Sequence, residues 1–454
     1  MYSKKKLFSC NFKKGNTMDK FKRILFAVSF VIAICANARP AKPVEGYLLK
    51  VKTSKPQAVF KVNEKFDFEI SLVRKGKLIP GKEISYTITR EGKISQQGKI
   101  TSENKAVKIK AFMERPGFML CRAEFTTKSG KKVIGYGGTG IDPLKIKAAK
   151  VSDKDIKAVY DFWDSKIKKL NSLPLKVKMI PDTVDEAYTD KLKCFDIRVN
   201  CLGDKDVSGY LVMPANAKPK SLPAYVGFHG AGVRSSHKRY DIAMKGALAL
   251  NVNAHGIENG KPKEFYDKLK SGKLKGYPLF GSNDPEKSYF CGMMMRVYRA
   301  LQFIKSRPEW DGKTLITYGS SQGGGQSLFA AASDSDVTFA VARVPALCNH
   351  YGLFKNDLSG WPKFIKLKNG KPVDPQVVKT AKYFDMALLA PRIKAEMLLT
   401  AGFIDRTCSP SSVYSAYNAI NSKKQIIHNI KYGHYNPPET SSKILEEIYS
   451  KLDK

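Results

Sequence analysis

The chain is short of acidic side chains, of histidine, of paired cysteines and of long apolar runs, and each shortage closes off a class of protein. Asp and Glu number 41 against 79 Lys and Arg, giving a net charge of +38 over 454 residues. A balance this basic could draw polyanions such as nucleic acid, acidic glycans or anionic envelope surfaces. The lysines, however, are spread along the whole sequence and no nucleic-acid motif accompanies them, so nucleic acid is not an expected partner. Solvated surface lysine is the simpler reading, and attraction to an acidic polysaccharide, weakened by salt, is the sharper one. The cysteines beyond residue 38 (Cys121, Cys194, Cys201, Cys291, Cys348 and Cys408) form no Cys-x-x-Cys pair, and no His stands at metal-ligand spacing, which argues against structural zinc. Cys194 and Cys201 could lie near one another, but spacing alone does not establish a disulfide. No internal repeat or low-complexity tract is present.

The one concentrated apolar run, Ile24 to Ile34, is too short to span a bilayer, and the charged, proline-containing segment Arg39 to Pro43 follows closely. With Lys20, Lys22 and Arg23 before it and Ala36-Asn37-Ala38 after it, residues 1–38 read as a secretory signal, so an exported protein, periplasmic or secreted, is expected. Met18 stands where such a signal usually begins, and bulky Ile34 before Cys35 argues against a lipid anchor. The leader carries eight Lys or Arg and one Asp, so the remainder keeps about +31 and its basic character.

Beyond the leader the hydrophobic period divides the chain in two. Residues 39–143 carry short alternating runs, such as Phe66-Phe68-Ile70-Leu72 and Ile84-Tyr86-Ile88, split by turn signals at Lys75-Gly76, Pro80-Gly81 and Glu91-Gly92. Seven or eight such strands predict an immunoglobulin-like β-sandwich. From Val44 to Ile141 there is no histidine, and nothing there looks catalytic. From residue 144 to 454 the pattern becomes strands alternating with helices: Ala224–Phe228, Ala247–Asn253, Leu315–Tyr318, Val337–Val344 and Met397–Phe403, with helices over Cys291–Ile304 and Gln322–Ala332. That alternation predicts an α/β fold with a mostly parallel sheet covered on both faces.

Gly319-Ser320-Ser321-Gln322-Gly323 fits G-x-S-x-G, with an apolar strand running in and a glycine-led helix running out. That context makes a nucleophile elbow of the α/β-hydrolase fold, and the lack of a Lys-Ser/Thr pair after the turn removes a P-loop. A serine hydroxyl attacks only if a base takes its proton, so a histidine and an orienting acid must follow in the order Ser, acid, His. Of the two histidines after residue 400, His434 lies in a Gly/Pro-bounded loop and His428 within a strand; His434 is the expected base. Asp405, just past the strand Met397–Phe403, is the expected acid, with Asp385 as a structural residue. Oxyanion donors are expected from the backbone of Ala231, in the loop Phe228-His229-Gly230-Ala231-Gly232, and of Gln322 after the nucleophile. His229 reads as structural, His255 either lines a pocket or caps its turn, His237 is a loop residue, and His350 is a loop residue that could edge the acyl pocket.

Together these residues resemble the acetyl xylan esterase and cephalosporin-C deacetylase group, carbohydrate esterase family seven. The similarity runs from about Ile156 to the C-terminus through Asp161-Phe162-Trp163, His229-Gly230, Gly319-Ser320-Ser321-Gln322-Gly323-Gly324, Tyr383-Phe384-Asp385, Ala390-Pro391-Arg392-Ile393, and Asp405 with Cys408-Ser409-Pro410-Ser411-Ser412-Val413. Carried across, Ser321, Asp405 and His434 match the family triad and Gln322 an oxyanion donor, while Ala231 stands where the family usually has Tyr. The resemblance implies a serine esterase acting on small acyl esters of an oligosaccharide or polysaccharide, with no metal or organic cofactor. His255-Gly256-Ile257 replaces the family's Arg-Gly-Gln, and Tyr435, a second candidate pocket residue, replaces the Glu after its histidine. These two departures leave substrate preference and the family's homo-oligomer open. The residues also admit a broader carboxylesterase or peptidase, and a catalytically silent glycan-binding protein is the rival from another class.

Overall fold

The computed structural model describes residues 42–453, so the leader read in residues 1–38 lies outside the described part. From Tyr47 to Ile141 nine strands form two sheets. One holds Tyr47–Thr53, Phe66–Arg74, Lys77–Leu78 and Val107–Ala111; the other holds Val59–Phe60, Glu83–Arg90, Lys93–Thr101, Gly117–Thr126 and Lys132–Ile141. Alternation along Phe66–Arg74 buries Phe66, Phe68, Ile70 and Leu72, which share one core with Ile84, Ile88, Met119, Cys121 and Val133 of the opposing sheet. Two of the nine strands, Val59–Phe60 and Lys77–Leu78, are too short for alternation to reveal.

The remainder is built on a nine-stranded sheet. From edge to edge it runs Val177–Asp182, Leu192–Val199, Val207–Pro214, Leu248–Val252, Leu222–Phe228, Trp310–Ser320, Phe339–Arg343, Glu396–Gly402 and Lys424–Asn429. The first three pair antiparallel, with one another and onto Leu248–Val252; the last six strands pair parallel. The periodicity locates the parallel strands and passes over the three antiparallel ones. Val177–Asp182 exposes most of its side chains, and Ser208-Gly209 interrupts the apolar run of Val207–Pro214.

Alternate residues of the parallel strands enter two separate cores. Ala224, Val226, Leu315, Ala340 and Leu399 pack with the helix Tyr289–Lys305 on one face, while Tyr225, Ile316, Val341 and Leu398 pack with Ile444 and Ile448 of the helix Pro438–Leu452 on the other. The helix Asp153–Asn171 is capped by Ser152, whose hydroxyl accepts from the Asp155 N–H, and its Trp163 Nε1 donates to the Tyr383 carbonyl at 2.8 Å. This pins together two segments that are far apart in sequence. From Leu222–Phe228 the chain moves to one side to form Leu248–Val252, then returns to the other side for Trp310–Ser320. Such a switch opens a crevice at the strands' carboxyl ends.

The sandwich does not merely precede the α/β region. Its Phe118 and Ala58 belong to the larger core, with the Phe118 ring 5.1 Å from that of Phe403 and 5.6 Å from that of Tyr414. Arg115 Nη1 meets the buried Asp357 carboxylate at 2.6 Å. At the tip of a sandwich hairpin, the 5% exposed Glu91 accepts from the Phe118 N–H at 2.6 Å, from the Leu358 N–H at 3.0 Å and from the Ser411 hydroxyl. Burial pushes the Glu91 pKa up against these donors. Glu91→Ala leaves all three without their acceptor, so a stability loss on the order of 3 kcal/mol is expected in denaturant unfolding. An unchanged unfolding midpoint would mean that water replaces the carboxylate without cost.

Among the described residues no helix is long and apolar enough to cross a membrane. All six described cysteines, Cys194 and Cys201 included, are free.

Candidate active site

Ser321 sits between the strand Trp310–Ser320 and the helix Gln322–Ser333 with φ 59° and ψ −119°, a conformation that β-carbon sterics make rare. Bonds on both sides hold it there: its N–H donates to the Arg343 carbonyl at 2.8 Å, and its own carbonyl accepts from Ala346 and Gly325 at 2.9 and 3.1 Å. The turn closes only with glycine at 319 and 323. A β-carbon on Gly319 would lie 2.0 Å from the Gly323 carbonyl oxygen, and one on Gly323 would lie 2.2 Å from that of Phe228. The hydroxyl is thereby held at the carboxyl end of the sheet.

Two further loops bring their side chains to it. The acid loop follows the strand Glu396–Gly402, and the histidine loop follows Lys424–Asn429. They run side by side because Phe403 N–H bonds the Asn429 carbonyl (3.3 Å) and Ile404 N–H bonds the Tyr432 carbonyl (3.2 Å). Asn429 closes the histidine loop, its Nδ2 donating to Asn436 Oδ1 at 3.0 Å while its Oδ1 accepts from Thr440 at 2.7 Å. His434 Nδ1 then lies 2.7 Å from Asp405 Oδ2, and its Nε2 lies 2.8 Å from Ser321 Oγ. The other oxygen of Asp405, which is 3% exposed, accepts from Thr407 and Cys408 N–H at 2.8 and 3.1 Å, so the carboxylate cannot swing away. A carboxylate facing Nδ1 keeps the proton there, which leaves the Nε2 lone pair for the serine hydroxyl. Burial disfavours the charged ring, but Cys408 and Asp405 beside it favour that form by more, and the His434 pKa is raised above the ordinary imidazole value.

The loop His229–Gly232 lies against the nucleophile: a β-carbon on Gly230 would stand 3.1 Å from the Ser320 carbonyl oxygen and 3.6 Å from Ser321 Cβ. Ala231 is exposed at its tip. His229 Nε2 accepts from the Ala254 N–H at 3.0 Å, so its proton sits on Nδ1 and is donated to the Gly230 carbonyl at 2.7 Å. Burial holds that ring neutral, with its pKa down to about 3. Gln322 opens the helix after Ser321, where first-turn N–H groups have no intrahelical acceptor. His255 is buried and bonds the Gly232 carbonyl and the Tyr289 hydroxyl.

The remaining candidates lie apart from this cluster or on its margin. Tyr435 bonds the Gly433 carbonyl through its N–H at 2.7 Å and sets its ring 5.9 Å from that of Tyr432. His428 pairs with Tyr414 at 2.5 Å, and Asp385 caps a short helix while accepting from the N–H groups of Asn349 and His350. His350 is 1% exposed and bonds the Phe384 carbonyl, and His237 is exposed. Sequence reasoning passed over Asn429, Thr440, Arg234, Tyr277 and Tyr289. Each is an ordinary polar residue in a helix, loop or strand, and only its hydrogen bonds distinguish it.

A serine hydroxyl, an imidazole and a buried carboxylate linked in this way, at the carboxyl ends of a mostly parallel sheet, define a serine hydrolase of the α/β-hydrolase fold. The chain belongs to the acetyl xylan esterase (AXE1) family, whose model matches residues 143–447, and it is a carboxylic ester hydrolase. It is similar to acetyl esterase Axe7A of Xylanibacter ruminicola, at 27% identity over 440 residues that cover 95% of this chain and 97% of that protein. Among solved structures it is similar to the acetyl xylan esterase from Paenibacillus sp. R4, with 27% identity and a TM-score of 0.56 over 68% of this chain and 98% of that one. Acetyl xylan esterase 1 from Thermoanaerobacterium sp. JW/SL YS485 shares the fold at 20% identity, with a TM-score of 0.57 over 68% of this chain and 97% of that one. About a third of this chain lies outside those two structural matches, whereas the match to Axe7A spans nearly all of it.

Proposed function

We propose that the protein removes acetyl groups from xylan or related plant oligosaccharides, through an acyl-enzyme on Ser321. The observation that carries this reading is the pair of hydrogen bonds from Ser321 through His434 to Asp405 at a strained elbow. Ser321 Oγ attacks the ester carbonyl carbon as His434 Nε2 takes its proton. The backbone N–H groups of Ala231 and Gln322 stabilise the oxyanion. Collapse expels the sugar oxygen, which receives that proton from His434, and leaves acetyl on Ser321. Water then attacks with His434 again as base, acetate departs, and the proton returns to the serine.

Family membership and the names of the relatives support acetate as the acyl group and xylan as the carrier. The leader pattern in residues 20–38 supports an exported enzyme, periplasmic or secreted, which would meet a polysaccharide outside the cytoplasm. The test is a panel of acetylated xylo-oligosaccharides, aryl acetates, longer aryl esters and peptide amides. Acetate release is expected to dominate, with kcat/KM falling as the acyl chain lengthens. Preference for long acyl chains, or cleavage of the amides, would overturn the assignment.

A further inference from the structure

One tyrosine touches both segments that carry the proposed oxyanion donors, the loop His229–Gly232 and the start of the helix Gln322–Ser333. Tyr277 is 6% exposed and belongs to neither the strand nor the helix of the nucleophile. Its hydroxyl donates to Gln322 Oε1 at 2.8 Å and accepts from the Gly232 N–H at 3.3 Å. The reverse assignment of the Gln322 amide would leave the phenol two donors and no acceptor, so the orientation with Oε1 toward Tyr277 is the one that satisfies it. Gln322 is fully buried, and its Nε2 meets no acceptor among the described residues. The bond to Tyr277 is therefore what holds its side chain.

The peptide groups flanking Ala231 are fixed on the same side. The Gly230 carbonyl receives His229 Nδ1 and Arg234 Nη2, the latter at 3.2 Å. In a trans peptide the following N–H, that of Ala231, points the opposite way. The Gly232 carbonyl receives His255 Nε2 at 3.1 Å, which requires the proton on that nitrogen. Nδ1 of His255 then accepts from the Tyr289 hydroxyl at 2.9 Å, while Arg296 Nη2 supplies the Ala254 carbonyl at 2.8 Å. The His255 ring also stands edge-on to Tyr277, 4.6 Å between centroids. This chain of bonds accounts for His255 as a scaffold residue and ends on the phenol that reaches Gln322.

We propose that Tyr277 is a positioning residue that clamps the two halves of the oxyanion hole in register, setting the distance between the Ala231 and Gln322 N–H groups before the substrate arrives. The proposal rests on the assignment of Ser321 as nucleophile with these two donors. Donors fixed in advance act where charge develops in the transition state, so the clamp should serve kcat and leave ground-state binding alone.

The experiment uses the full chain with 4-nitrophenyl acetate and a small trifluoromethyl ketone, which adds to the serine as a charged tetrahedral species. Tyr277→Phe is expected to lower kcat roughly 10–100-fold with KM within about twofold, and to weaken the ketone by the same factor as kcat. Gln322→Met keeps the backbone donor but removes the amide, and should reproduce the loss. The double variant should lose no more than the worse single, because one interaction is removed twice. Should Tyr277→Phe fail to fold, Gln322→Met carries the test alone. Unchanged kcat in either folded variant, multiplicative losses in the double, or a rise in KM at constant kcat would overturn the clamp. Ser321→Ala run in parallel separates the two failures. Residual turnover there removes the nucleophile assignment and the clamp together, whereas a dead Ser321→Ala beside an unimpaired Tyr277→Phe removes the clamp alone.

Discussion

Ser321→Ala is expected to abolish ester hydrolysis while leaving the protein folded. The hydroxyl makes no capping bond to the helix that follows, and the strained φ of 59° is imposed by backbone bonds to Arg343, Ala346 and Gly325 that alanine retains. What disappears is the atom that becomes acylated. Loss of the nucleophile from a serine–histidine–aspartate triad lowers kcat by roughly 10⁶-fold in the enzymes where it has been measured. Acetate release together with a fluorophosphonate label is the check. Both should vanish, with the circular dichroism spectrum and unfolding midpoint preserved. Retained turnover would place the reaction on another serine, and a wild-type protein that takes no label would revive the silent glycan-binding reading.

The second large effect is expected at Asp405. In Asp405→Asn the amide oxygen can still accept from Thr407 and Cys408, so the loop should keep its shape, but an NH₂ group then faces His434 Nδ1. The imidazole proton moves to Nε2, and the ring presents a donor where the serine needs an acceptor. A fall of about 10⁴-fold in kcat follows from that tautomer change. The pH dependence should move as well. His434 accepts the serine proton only when neutral, and its pKa is raised, so the acid limb of wild-type kcat/KM is expected above the ordinary imidazole value of about 6.5. Removing a carboxylate that favours the imidazolium should shift the residual limb to lower pH. A loss under tenfold, or a limb that does not move, would show that Asp405 neither orients nor polarises the base.

The positions that were legible from sequence are those where chemistry restricts the choice of residue and its local setting. Glycines at 319 and 323 mark an elbow because nothing larger fits against the Gly323 and Phe228 carbonyls. His434 was separable from His428 because a base must sit in a loop beyond a strand end, and the structure puts His434 2.8 Å from Ser321 Oγ while His428 pairs with Tyr414. The inner parallel strands announced themselves as short, largely apolar runs because both faces of that sheet are covered there. Val177–Asp182 did not, since an exposed antiparallel edge needs no apolar pattern. Tyr277 and Glu91 were invisible for a different reason. A tyrosine after a glycine and a glutamate in a hairpin turn carry no local mark of the partners they meet 45 and 320 residues further along the chain.

The sequence by itself therefore determined the two-part architecture, the elbow and the ordered serine, aspartate and histidine, because hydrophobic period, turn sterics and triad order are local or linear properties. Only the tertiary structure decided that the sandwich hairpin sets Glu91 against the first turn of the helix that follows the acid loop, and that His255 bonds the Gly232 carbonyl and Tyr277 the Gln322 side chain beside the elbow. Those are contacts between segments whose separation in the chain is unrelated to their separation in space. A buried hydrogen bond is specified by both of its ends at once, so neither residue discloses it alone.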